Sequence, residues 1–128
     1  MVKKAALAGA AAILVLACVA ATRSEAVDNN NRYSVRGLGT TTCSKYLETR
    51  NLNNDESEDF VHWFTGFLTA YNLLEPDTYD IAPAAQYNSA GLLRFLDLYC
   101  GQSPTKRISD AAVGFVRAVH EKRVRAGS

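Results

Sequence analysis

The chain has 128 residues, with 14 Lys/Arg against 13 Asp/Glu and a formal net charge of +1. That near-neutral balance supplies no basic field for nucleic acid or for an anionic membrane. The length is enough for one domain and, once an export segment is set aside, too short for two.

In chain order, Lys3 and Lys4 precede an almost wholly apolar run from Ala5 to Ala21, which Thr22, Arg23, Ser24 and Glu25 then break. This is the layout of a secretory signal peptide. A membrane span needs about 20 apolar residues, and this run is shorter. Small residues stand at the −3 and −1 positions in Ser24-Glu25-Ala26 and in Val19-Ala20-Ala21. Residues 1–26 are taken as the signal, which predicts a periplasmic or secreted protein. Cys18, in Val15-Leu16-Ala17-Cys18, matches a lipoprotein box poorly and is expected to be discarded with the signal; only its lipidation would tether the chain to a membrane. Two cysteines then remain, Cys43 and Cys100, and they predict one disulfide formed in an oxidising compartment.

Residues 27–41 hold few apolar side chains and include Asn29, Asn30, Asn31, Gly37 and Gly39. They read as a flexible leader without packed structure. A helical domain is expected over residues 42–125. Its first helix runs from Thr42, a cap, to Asn51, with Tyr46 and Leu47 on the face of Cys43. The clearest helix runs from Asp55 to Leu74, where Phe60, Trp63, Phe64, Phe67, Leu68, Tyr71 and Leu74 recur at helical spacing. Gly66 inside it costs about 1 kcal/mol against Ala, so Gly66 and Ala70 are read as a small-residue groove for close helix packing. Glu75 to Asn88 reads as a loop. Ser89 caps a third helix, whose inward face is Leu92, Leu93, Phe95, Leu96, Tyr99 and Cys100 and which Gly101 stops. Ser103-Pro104 opens a fourth, with Ile108, Ala112, Phe115 and Val119 as its core stripe.

No nucleophile elbow, zinc-protease helix, phosphate loop or calcium loop is present. Asp55, Glu56, Glu58 and Asp59 suit the first turn of a helix rather than a catalytic carboxylate pair. His62 is explained by Glu58 four residues earlier, and His120 by the C-terminal end of a helix dipole. No third ligand at metal spacing accompanies them. A non-enzymatic role without metal or cofactor is therefore expected. Two surfaces are candidates for binding. One is the aromatic stripe Trp63, Phe64, Phe67 and Tyr71, wherever the rings are not core. The other is the loop set Asp77, Tyr79, Asp80 and Tyr87.

Thr42-Cys43-x-x-Tyr46-Leu47, Trp63-x-x-Gly66-Phe67-Leu68-x-Ala70-Tyr71-Asn72 and Tyr99-Cys100, with Pro104, Ile108 and Ala111 beyond, resemble the HdeA/HdeB group of small periplasmic acid-stress chaperones and their uncharacterised secreted relatives. The resemblance covers roughly residues 42–119. It implies an all-α bundle of about four helices with the Cys43–Cys100 bridge. It also implies a homodimer at neutral pH that loosens in acid and exposes apolar surface to unfolding clients. The cysteines and Gly66-Phe67 are the positions that carry over. The competing reading is a periplasmic inhibitor or immunity-type protein that blocks one effector enzyme through the loop set.

Overall fold

The computed structural model describes residues 32–52 and 55–127. The signal segment, Cys18 and the start of the leader lie outside these residues. From Ser34 onward the chain forms one unit. It contains four helices: α1 (Cys43–Leu52), α2 (Asp55–Leu74), α3 (Ser89–Gln102) and α4 (Ile108–Val119), with no strand among the described residues. The all-α bundle is as the periodicity predicts, and Cys43 and Cys100 are joined in a disulfide.

The start of α1 is closed by chain from the far end of the domain. Cys43 N–H donates to Lys106 O (2.7 Å) and Ser44 N–H to Pro104 O (2.9 Å). Thr42 contributes its backbone oxygen to Tyr46 N–H (3.0 Å) and its hydroxyl oxygen to Lys45 N–H (3.4 Å). The first turn of a helix has no internal partners for these donors, and here four of them are satisfied. This corrects the expected start of the fourth helix at Ser103-Pro104. Carbonyls 104 and 106 point at α1 instead, Thr42 and Arg107 pair as an isolated bridge, and α4 begins at Ile108. Asp110 then steadies the new start by accepting from Arg107 N–H (2.9 Å).

Two further boundaries differ. Asn88, not Ser89, caps α3, its side-chain oxygen accepting from Gly91 N–H (2.9 Å). Gly101 does not stop α3: the helix runs through it to Gln102 and ends at Ser103. Cys100 is held by the bridge one residue earlier, and the tight turn at 103–106 supplies the stop. Helix α2, at 20 residues, spans about 30 Å. Its first turn carries Asp55, Glu56 and Glu58, which complement the dipole.

The core is a single cluster centred on Phe64 and Phe115. Phe115 meets Phe64 (5.4 Å), Phe95 (5.0 Å) and Tyr87 (5.1 Å) edge to face, the geometry aromatic quadrupoles prefer. Around them lie Tyr46, Phe60, Val61, Leu68, Leu92, Leu96, Ile108, Ala112 and Val119, all buried. The segment between α2 and α3 is more ordered than a loop reading implies. Ile81 is buried, its N–H bonded to Asn72 Oδ1 (2.8 Å).

The leader is also corrected. Gly37–Thr40 is a 3-10 turn with Gly39 buried, and Leu38 packs against the core. Glycine frequency suggested mobility. Here the glycines let backbone lie directly on an aromatic ring.

Candidate functional site

Helix α2 presents two apolar surfaces of different kinds. Phe64 belongs to the core and is fully buried, so it leaves the set of binding candidates. Trp63, Phe67 and Tyr71 lie at the margin of the core, half-buried. Trp63 and Phe67 stack at 6.1 Å and 17°. The indole Nε1–H of Trp63 donates to Arg36 O (2.9 Å), and the ring lies against Gly39 so closely that a Cβ there would fall 2.1 Å from Cζ2. Tyr71 is tied to the end of α4 instead, its hydroxyl 2.8 Å from His120 Nδ1.

Beyond Trp63, the outer face of α2 is open. Gly66 and Ala70 are exposed, and nothing lies within 4 Å of where a Gly66 Cβ would stand. Among the described residues the expected close helix packing at Gly66 and Ala70 is therefore absent: the neighbouring helices meet α2 on its Phe60–Phe64–Leu68 face. Leu73 and Leu74 are 82% and 77% exposed. The two threonines of this stretch bond back to the helix's own backbone, Thr65 Oγ1 donating to His62 O (3.0 Å) and Thr69 Oγ1 to Thr65 O (2.9 Å). No charged residue occurs from Trp63 to Leu74. Trp63, Gly66, Phe67, Ala70, Leu73 and Leu74 follow helical spacing and make one uncharged stripe.

The four loop residues do not form one patch. Asp77, at φ 54°, pairs with Arg125, and its backbone oxygen accepts from Arg123 Nε (3.2 Å). Asp80 Oδ1 accepts from Ala82 N–H (3.0 Å), so this carboxylate shapes its own turn. Tyr87 packs on Phe115. Tyr79 alone stands out, 73% exposed. Its backbone is fixed, its N–H donating to Val124 O (2.9 Å), while Val124 N–H donates to Asp80 O (2.8 Å). Arg123 and Arg125 fold back to hold this loop.

The strongest polar constellation is one the spacing did not reveal. Asp97 on α3 accepts from Arg50 Nε (2.8 Å), Arg50 Nη2 (2.7 Å) and Tyr46 Oη (2.8 Å), both partners being on α1. The Arg50 fork holds the Asp97 carboxyl below the usual carboxylate range, with Tyr46 adding to the effect against partial burial. Burial, followed by the hydrogen bond to Asp97, pushes the Tyr46 hydroxyl above its ordinary value. Tyr46 and Arg50 share an α1 face at i,i+4, which was legible. Their partner is 47 residues from Arg50, which was not.

Among the described residues no group of three or more His, Cys, Asp or Glu side chains is placed to hold a metal ion. No helix among them is long and apolar enough to cross a membrane. Comparison with protein-family models, with curated proteins and with solved structures finds no match. The site is thus described by its own geometry: an uncharged stripe on α2, part covered and part open, above a core clamped by a disulfide and by the Arg50–Asp97–Tyr46 cluster.

Proposed function

We propose that this protein is an exported, non-enzymatic binding protein that holds unfolding polypeptides on apolar surface under acid stress, as a member of the chaperone-like group it resembles and as a homodimer at neutral pH. The observation that carries this reading is the open stripe of α2, where Leu73 and Leu74 stand in solvent beside Gly66 and Ala70 with no charge to oppose an apolar client. Single exposed leucines are ordinary, whereas a contiguous uncharged face marks an interaction surface.

Two properties support acid as the trigger. Removing Lys3, Lys4, Arg23 and Glu25 with the signal leaves 11 basic and 12 acidic residues. Protonation of the carboxylates and both histidines takes formal charge from about −1 to about +13. Self-repulsion of that size loosens a compact state and keeps complexes soluble. The Asp97 contact between α1 and α3 also weakens as the carboxylate is protonated, since its Arg50 partner favours the ionised form.

The test follows aggregation of a client from pH 7 to pH 2, with light scattering reporting the size of the oxidised protein itself. Protection confined to acid, accompanied by loss of the dimer, is expected. Constant size with no protection at any pH would sink this reading. The inhibitor reading is favoured by one observation, the rigidly presented and exposed Tyr79. In that case Tyr79→Ala abolishes binding of the effector enzyme at neutral pH while leaving stability within about 0.5 kcal/mol, as at other exposed sites.

A further inference from the structure

The covered part of the α2 stripe shows what kind of chain fits it. The occupant is this protein's own backbone at residues 36–40. Arg36 O accepts from Trp63 Nε1, the Gly39 backbone lies flat on the indole, and Leu38 reaches the core beside them. No side chain larger than glycine fits where the ring meets Gly39.

This strap is fastened unevenly. From Thr41 onward the chain is pinned by Ile108 N–H to Thr41 O (3.0 Å), by Cys43 N–H to Lys106 O (2.7 Å) and by the disulfide. Before Thr41 the turn is closed on itself, through Thr41 N–H to Leu38 O (3.0 Å) and Thr40 Oγ1–H to Gly37 O (2.9 Å). The indole bond that ties it to α2 lies at the exposed surface. Thr41 thus divides the pinned chain from a short turn that rests on α2 and α4. This turn uses only the Trp63 end of the stripe, and no other described residue covers Gly66, Ala70, Leu73 and Leu74.

We propose that residues 36–40 are a built-in occupant of a peptide-docking face on α2, displaced by a client segment that carries glycine next to a large aliphatic residue and can take the same tight turn. The incoming carbonyl accepts from Trp63 Nε1, and a longer segment continues over Ala70, Leu73 and Leu74, surface the strap leaves unused. That added apolar area is what lets a client compete with a tethered occupant. The inference deepens the client-binding reading and rests on it.

Trp63 is the only tryptophan, so its emission and its quenching by acrylamide report this face alone. Gly39→Ala drives a Cβ into the indole, and Leu38→Ser removes the anchor without any clash. In both oxidised variants Trp63 is expected to become several-fold more quenchable with helix content retained. A synthetic peptide of residues 34–41 then binds the variants, restores shielding of Trp63 and competes with a tryptophan-free unfolded client; it leaves the wild type at neutral pH unaffected. If Gly39→Ala fails to fold, Leu38→Ser decides the matter by the same readouts. Variants with an accessible Trp63 that bind neither peptide nor client more than wild type does would overturn the proposal. So would client holding, in wild type and variants alike, that never changes Trp63 quenching; that result leaves the chaperone reading standing and moves its surface elsewhere. Peptide binding to the variants without client protection at any pH would keep the docking face and remove the chaperone reading.

Discussion

Asp97 joins two helices through three hydrogen bonds, from Tyr46 and from both arms of the Arg50 fork. Charge-assisted forks are among the stronger polar contacts, but this carboxylate is partly open to solvent. Allowing for that screening, Asp97→Asn should cost about 1–2 kcal/mol at neutral pH. The pH sign is fixed by the direction of the shift. The folded-state pKa lies below the unfolded one, so the contribution is complete above about pH 4 and fades as pH falls through the folded value. Urea midpoints of wild type and Asp97→Asn should therefore differ at neutral pH and converge in strong acid. A gap that stays constant would show that the carboxylate is not the group responsible. The aromatic residues separate by burial in the same way. Phe64→Ala, at the ring cluster, should cost about 4 kcal/mol, and Trp63→Ala, at its margin, less than that. Both are checked by the same denaturation. Helical spacing placed Phe64 and Trp63 on adjoining positions of one face. It could not tell which was core, because that depends on what the strap covers.

At the scale of elements, the disulfide ties the first residue of α1 to the last turn of α3 across a separation of 57 residues. Chain entropy makes that worth about 4 kcal/mol. Cys100→Ser should lower the melting temperature sharply, and equal melting temperatures would refute a structural role for the bridge. Gly66 gives a prediction of opposite sign. It sits in mid-helix with open space about it, so Gly66→Ala should raise stability by about 0.5–1 kcal/mol in thermal melts of the monomer. The bounds of α2 were readable because an acidic first turn and a long apolar period agree. The start of α4 was not, although Pro104 is an acceptable first-turn residue. Its carbonyl is needed by Ser44 N–H, a demand made by an element 60 positions away in sequence. The same holds for the Glu75–Asn88 segment: Ile81 is core because Asn72 receives its N–H, and no local pattern records that.

For the whole molecule, the fold class, the number of helices, the bridge and the α4 stripe Ile108, Ala112, Phe115 and Val119 were legible, since period and cysteine count are properties of the chain. The joins between distant segments were not, and they set the candidate site: strap on Trp63, Asp97 on Arg50, Val124 beside Asp80. The bridge also decides what an unfolding chain can lose. The covalent ring closed by Cys43 and Cys100 contains α1, α2 and nearly all of α3, while α4 lies wholly outside it. An oxidised chain that swells in acid remains a lasso, with α4 as its free end. Departure of α4 uncovers Phe64, Phe95 and Tyr87, the partners of Phe115, yet the ring keeps α1 beside α3. On neutralisation one amphipathic segment has to find its seat again, not a whole chain its topology.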